Sequence, residues 1–197
     1  MHPIVELDSR DFSPAQRAVA FRDVAAQMCL LDVTPDPDIE FASTIRLYLL
    51  PDLQISRTTW TASTTVRTSS HTYATGDHVI FHFPLTGQFS IRQTGGEECI
   101  CRPGEVYVDP TAERGIDIFQ SPRTDLIYLS TPRARLKDLC PQLSSRFRQK
   151  QKLTGPWKLL LSYVQTLTDP ALQLSDREHS QCSQHLVDLL AMLTCPH

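Results

Sequence analysis

The sequence lacks most of the short patterns that mark catalytic and targeting classes. No apolar run is long enough to span a bilayer. The start, Met1-His2-Pro3-Ile4-Val5-Glu6-Leu7-Asp8, has neither a basic n-region nor an apolar h-region, so no membrane association and no secretion signal are expected. There is no Gly-x-Ser-x-Gly elbow for a serine nucleophile, no phosphate-binding glycine loop and no His-Glu-x-x-His helix. Neighbours Glu97 and Glu98 would point to opposite faces of a strand and cannot form an acid–base pair. Among the six cysteines, Cys29, Cys99, Cys101, Cys140, Cys182 and Cys195, there is no Cys-x-x-Cys pair and no regular spacing. They read as reduced, mostly buried thiols of a cytoplasmic protein. Cys99 and Cys101 would share one side of a strand, as half a metal site would, but two further ligands at a recognisable spacing are missing. The net charge of −3 gives no overall pull toward nucleic acid. No internal repeat and no low-complexity tract occurs.

What is there is an ordinary globular composition, 41% hydrophobic and 21% charged over 197 residues, long enough to bury a real core. The informative stretch is Gly95-Gly96-Glu97-Glu98-Cys99-Ile100-Cys101-Arg102-Pro103-Gly104-Glu105-Val106-Tyr107-Val108-Asp109-Pro110. Gly-Gly supplies the positive φ of a tight turn, Pro103 presets φ for a second turn, and Gly104 follows where the chain reverses. Two short strands between tight turns are how a small β-barrel is wound.

The rest of the chain reads around that barrel. Residues 1–11 are expected to be a frayed arm. Ser13-Pro14 is expected to open a helix with Ser13 as N-cap, its stripe formed by Val19, Phe21, Val24, Met28, Leu30 and Leu31. Turn residues 34–38 end it. From 39 the texture turns to Thr, Ile, Val, Tyr and Trp: strands at 39–49 and 54–67, split at Leu50-Pro51-Asp52, then a loop at 69–76. Strands follow at 78–85, 88–93, 115–120 and 124–130, for eight or nine in all, the pattern of a sandwich or barrel. After Thr131-Pro132 the chain is expected to stay helical. A locally basic run, 133–152, is read as a solvated face. Gly155-Pro156 opens a helix with the stripe Trp157, Leu160, Leu161, Val164 and Leu167, and Asp169-Pro170 ends it. Ser175-Asp176-Arg177-Glu178 is a capping box for a last helix carrying Cys182, Leu186, Leu189, Leu190 and Leu193, which Thr194-Cys195-Pro196-His197 ends abruptly. The fold class is α+β, mainly β, divided as arm and helix (1–38), barrel (39–131) and C-terminal helices (132–197).

Histidines His71, His78 and His82 cluster near one strand. His78 and His82 would share a face but lie about 13 Å apart at roughly 3.3 Å per residue, too far to ligate one metal. No metal and no cofactor is expected. His82, amid Ile80, Phe81, Phe83 and Leu85, is a candidate for a polar group inside the barrel. The other candidates for lining a ligand site are Trp60, His71, Tyr107, Asp117 and Asp125. Tyr107 faces opposite to Val106 and Val108, and Asp117 alternates with Ile116 and Ile118.

Taken in order, Thr86-Gly87, Gly95-Gly96-Glu97, Cys101-Arg102-Pro103-Gly104-Glu105-Val106-Tyr107-Val108, Asp109-Pro110, the exit from Leu129 to Leu136 and the two helices resemble the N-terminal sensor domain of AraC-type transcriptional regulators over roughly residues 14–193. Phe21-Arg22 resembles the subgroup in which a helix precedes the barrel. The resemblance implies a cupin-like (jelly-roll) barrel that binds a small effector, with dimerisation through the C-terminal helices. It also implies a separate DNA-reading domain of helix-turn-helix units, which this sequence does not contain, so DNA binding by this chain alone is not expected. The chain is then a bacterial, cytoplasmic, non-enzymatic homodimer, either an isolated sensor or a natural short form. Leu160, Leu161, Val164, Leu167, Leu186 and Leu190 are the expected interface, with internal core as the competing reading. A stand-alone cupin-type enzyme, an isomerase or dioxygenase, is the alternative function. It would need a metal or an acid–base pair that the sequence does not offer convincingly.

Overall fold

The computed structural model describes residues 4–169 and 171–195. The helix stop expected at Pro170 and the chain end at Pro196-His197 lie outside the described residues. Two antiparallel sheets face one another. One has seven strands: β1 (Val5–Asp8), β3 (Thr44–Leu50), β4 (Leu53–Trp60), β11 (Thr124–Pro132), β6 (His78–Thr86), β9 (Glu105–Pro110) and β12 (Gln149–Lys152), in that spatial order. The other has five: β2 (Asp32–Pro35), β5 (Ser63–Arg67), β10 (Gly115–Phe119), β7 (Phe89–Gln93) and β8 (Cys99–Cys101). The helices are α1 (Arg17–Ala25), α2 (Ser69–Thr75), α3 (Arg133–Lys137), α4 (Gly155–Leu167) and α5 (Asp176–Thr194). This is the cupin-like α+β architecture expected.

Turn chemistry sets the registers. Pro51 and Asp52 form the two-residue loop between Leu50 and Leu53. Proline fixes the first position, and Asp52 takes φ +60, which a short polar side chain tolerates. Gly95 adopts φ +72 at the hairpin between β7 and β8. Gly87 is required twice over. Its φ is +68, and a Cβ there would sit 2.6 Å from the Arg123 carbonyl oxygen.

The seven-stranded sheet is buried on both faces, so its central strands β6 and β11 are near-continuous buried runs. Val79, Phe81 and Phe83 of β6 face the helices. There they meet Val106, Val108, Ile127 and Leu129 together with Trp157, Leu160, Val164, Leu167, Leu186 and Leu190. The Trp157 ring lies 6.1 Å from Phe81 and 6.0 Å from Phe83. The Ser183 hydroxyl of α5 donates to the Pro51 carbonyl, tying that helix to a hairpin turn. The opposite face of the sheet contributes Ile45, Trp60, Ile80, Tyr107, Leu126 and Tyr128 to the barrel interior, against Phe89, Ile91, Cys101 and Phe119 of the smaller sheet.

Several local expectations are corrected. Among its described residues, 4–11, the arm is not frayed. Val5–Asp8 pairs with Thr44–Leu47 as an edge strand, and its burial alternates too weakly to read as a strand in sequence. Ser13 does not cap α1. Its hydroxyl bonds to the Gln16 side chain, and the helix starts at Arg17 and ends at Ala25. Val19 is exposed, and the buried face is set by Phe21 and Ala25. The expected loop at 69–76 contains α2, closed at its start by a Thr68–His71 capping box. The expected turn at 34–38 begins inside β2. The chain does not stay helical after 132. Residues 149–152 of the basic run form β12 on β9, where Lys150 reaches Glu105 at 3.0 Å. Twelve strands rather than eight or nine are present among the described residues. The capping box at Ser175 and Glu178 is formed as read.

Candidate functional site

The barrel interior contains an ion pair. Asp109 is 1% exposed. Its carboxylate accepts from Arg67 Nη1 at 2.9 Å, Arg67 Nη2 at 2.6 Å, His82 Nε2 at 3.2 Å and the Gln93 side-chain amide. The Tyr107 hydroxyl donates to Gln93 Oε1 at 2.9 Å. Arg67 Nε donates to the Glu113 carbonyl at 2.7 Å, and Arg67 Nη1 lies 3.6 Å from Cys29 Sγ. Four strands therefore contribute to one network: Arg67 ends β5, His82 sits in mid-β6, Gln93 ends β7 and Asp109 lies near the end of β9. Burial by itself would raise the Asp109 carboxyl. Arg67 and His82 outweigh it and hold Asp109 well below the usual carboxylate range.

Next to this network is a small cavity of about 50 Å³. Its lining includes Phe21 and Ala25 of α1, together with Ser56, Trp60, His82, Asp117 and Tyr128. Phe21 lines it with its ring 4.7 Å from Trp60 and 5.7 Å from Phe41, while Trp60 stacks on Phe119 at 4.5 Å. Trp60 Nε1 donates to the Tyr128 hydroxyl at 2.9 Å. His82 gives Nε2 to Asp109 and keeps a buried Nδ1 with no hydrogen-bond partner among the described residues. Asp117 keeps some exposed surface, but its carboxyl lies deep among protein atoms. Burial, reinforced by the Asp109 charge, pushes it up to about 6 against the opposing pull of His82 and Arg67.

The structure thus brings together four of the six expected site residues. Trp60, His82 and Asp117 line the cavity, and Tyr107 points into the same interior. The other two do not join them. His71 lies on α2, where its Nδ1 accepts from the Thr68 backbone as half of the capping box. Asp125 is out of phase with inward Leu126. It faces an outer cleft, accepting from Thr86 Oγ1 at 3.0 Å and Arg123 Nε at 2.9 Å. Arg67, Gln93 and Asp109 were missed by motif reading. Strand parity holds the signal: Asp109 is in phase with Tyr107, and Gln93 with Phe89 and Ile91. The expected interface is corrected as well. Leu160, Val164, Leu167, Leu186 and Leu190 are each at most 2% exposed within this chain's own core, so they have no surface left for a partner, and Leu161 is partly buried.

Among the described residues, no cluster of three or more His, Cys, Asp or Glu is arranged to hold a metal ion. His78 instead has Nδ1 3.3 Å from Ser130 Oγ. No helix of the described residues is long and apolar enough to cross a membrane.

Comparison with known proteins agrees with this geometry. The AraC-binding-like domain family matches residues 21–194, and the chain belongs to that family. Among solved structures, the AraC-like transcriptional activator CuxR superposes with a TM-score of 0.80 at 16% identity, over 96% of this chain and 69% of that one. Ectoine synthase from P. lautus matches 46% of this chain and 64% of its own, with a TM-score of 0.37 at 19% identity. KdgF from Halomonas sp. matches 47% and 79%, with a TM-score of 0.37 at 20% identity. No curated protein sequence matches.

Proposed function

We propose that this chain is the effector-sensing and dimerisation domain of a bacterial, cytoplasmic AraC-type transcriptional regulator. It is a non-catalytic receptor whose effector, a small molecule, changes how it holds a DNA-binding domain that lies outside this sequence. The observation that carries this reading is the family match across 21–194 on a barrel whose interior holds an ion pair and an unpartnered His82 nitrogen. Burying Arg67 and Asp109 costs several kcal/mol of desolvation per ion before their attraction is counted, so an apolar filling would serve stability as well. The likeness to CuxR, an AraC-like activator, is a likeness of fold and supports the same reading.

Dimerisation falls to the outer face of α4 and α5. Leu159 is 62% exposed and Met192 50% exposed, and Tyr163, His185 and Leu189 flank a shallow cleft on that face. A second copy of the chain is the occupant we assign to it.

The test is a thermal-shift screen of the purified chain against a metabolite panel, with light scattering on the same sample. A dimer stabilised by one compound class is the expected result, because ligand binding to the native state raises the melting temperature by mass action. A strict monomer with no ligand response overturns the reading. Stoichiometric tightly bound iron, zinc or manganese in the purified protein would move the assignment to a cupin-type enzyme.

A further inference from the structure

The interior cavity, about 50 Å³, has room for a few waters. Pockets for small organic ligands run from roughly 300 to 1,000 Å³. A cleft of about 600 Å³ lies instead at one rim of the five-stranded sheet, where β5 ends, β7 ends and β10 begins. The register places Gly115 opposite both Arg67 and Gln93, so three adjacent strand ends form its floor. The hairpin at Gly95-Gly96 and the Thr68-Ser69-Ser70 segment form its walls.

Its charge sets it apart. Arg67, Arg92 and Arg114 line it, and no carboxylate does. Arg67 is 8% exposed and already neutralised by Asp109. Arg92 and Arg114 are exposed, and among the described residues neither guanidinium has an ion pair or a hydrogen bond. Other clefts of the molecule differ. In the one beside β1, Arg10 is paired with Asp8, Arg46 with Glu6 and Arg123 with Asp125, and the fourth cation, Arg57, shares the cleft with those three carboxylates. Across the Gly95-Gly96 hairpin, Lys150 is paired with Glu105 and Arg148 with Glu113, and Glu97 and Glu98 line the cleft. Unlike these two clefts, the rim cleft holds two guanidiniums in a concave space with no acid among its described lining residues. Two like charges held together repel, and an anion between them removes that cost.

We propose that this rim cleft binds a phosphorylated small metabolite. Arg92 and Arg114 would grip the phosphate, and the Ser69 and Ser70 hydroxyls would offer further donors. A guanidinium fork matches phosphate oxygens two at a time, which fits this site better than a single point charge would. A concave cleft of this volume suits a compact ligand of sugar-phosphate or mononucleotide size, and the chain's net charge of −3 disfavours a long polyanion. The proposal rests on the sensor reading above and gives it a ligand class and a place. The bound phosphate sits beside Arg67, the cation that holds Asp109 and, through it, His82 in the barrel interior.

The experiment titrates the whole chain with glucose 6-phosphate, AMP and pyrophosphate, using glucose and adenosine as uncharged counterparts, by calorimetry and thermal shift. Two double variants are compared, R92A/R114A in the cleft and K158A/R177A on exposed helix positions, which remove the same charge. The expected result is that at least one phosphorylated probe binds while its uncharged counterpart does not. Its Kd rises at least tenfold in R92A/R114A and stays within twofold in K158A/R177A. Equal weakening in both double variants overturns the site as mere charge attraction. If only uncharged compounds stabilise the chain, and do so undiminished in R92A/R114A, the cleft fails while the sensor reading stands. If no compound of either class binds, both fail. Melting temperatures of the unliganded variants within a few degrees of the parent show that the loss is not unfolding.

Discussion

The two faces of β6 are built on opposite terms. Toward the helices, Val79, Phe81 and Phe83 are fully buried among aliphatic and aromatic side chains, with Trp157 seated on them. Toward the barrel, Ile80 and His82 face an interior that contains two carboxylates, a guanidinium, an amide and two phenols. The helix side is the kind of core that stability alone selects, where each fully buried large side chain contributes about 1.5–3 kcal/mol. The barrel side accepts the desolvation of an ion pair that contributes little or nothing net over an apolar filling. One strand can serve both because its side chains alternate. The polar machinery is thus held one residue away from the element that fixes its position.

The comparison breaks first at Asp109. Asp109→Ala leaves Arg67 buried and unpaired, and is expected to cost about 3–5 kcal/mol in urea unfolding at neutral pH. Because the Asp109 carboxyl is depressed in the folded state, its contribution is fully present above the unfolded value near 4 and is lost as pH falls through the folded value. The variant therefore loses the steep acid-side decline of the parent. An acid limb unchanged in the variant would contradict this account of the pair.

Neighbours Leu160 and Leu159 test the helix side. Leu160→Ala opens a cavity in the dry core and costs about 2–5 kcal/mol, with a pH profile parallel to that of the parent. Leu159→Glu, one position away on the exposed face, changes stability by roughly 0.5 kcal/mol or less, yet is expected to convert the proposed dimer to monomer by light scattering. If Leu160→Ala dissociates the proposed dimer and Leu159→Glu does not, the proposed interface is wrong.

Asp117 carries the opposite pH sign from Asp109. Its carboxyl is raised, so the folded state holds a proton that the unfolded chain has already released. Stability is then lost as pH rises from about 4 to about 6. Asp117→Asn is expected to remove that decline and to gain about 1–2 kcal/mol at pH 7, after a discount for its partial exposure. Thermal melts at pH 4, 5, 6 and 7 measure it, and a variant less stable than the parent at pH 7 would refute the raised carboxyl. The smallest effect is expected at the surface. Arg46→Ala breaks an exposed pair with Glu6 and should cost at most about 1 kcal/mol, less in high salt.

How much of this was legible beforehand depends on the range of the interactions involved. Tight turns, capping residues and alternating strands are local, and Gly95, Pro51-Asp52 and the Ser175–Glu178 box can be read directly. Tyr107 turned away from Val106 and Val108 follows from a two-residue period alone. The two-residue period that sets Tyr107 apart from Val106 and Val108 also applies to Asp109, but the Asp-Pro pair reads as a strand stop and hides it. His71 and Asp125 were misplaced because residue type was weighed without the element beneath it, a capped helix for one and an outward phase for the other. The short strands β1 and β12 escaped notice because edge strands have little hydrophobic pattern. Their pairing energy comes from backbone bonds to a distant partner.

By itself, then, the sequence determined the class of fold, the order of barrel and helices, and that Tyr107 and Asp117 turn to the opposite side from their strand neighbours, since these rest on periodicity and turn chemistry within a few residues. Which side faces the barrel was left to the packed molecule. Tertiary structure alone decided which charges meet. Arg67 and Asp109 are 42 residues apart, and Arg92 and Arg114 share a cleft because β7 and β10 pair as neighbours. It also decided which leucines are exposed. An amphipathic stripe states that a face must be buried, and only the packed molecule states against what.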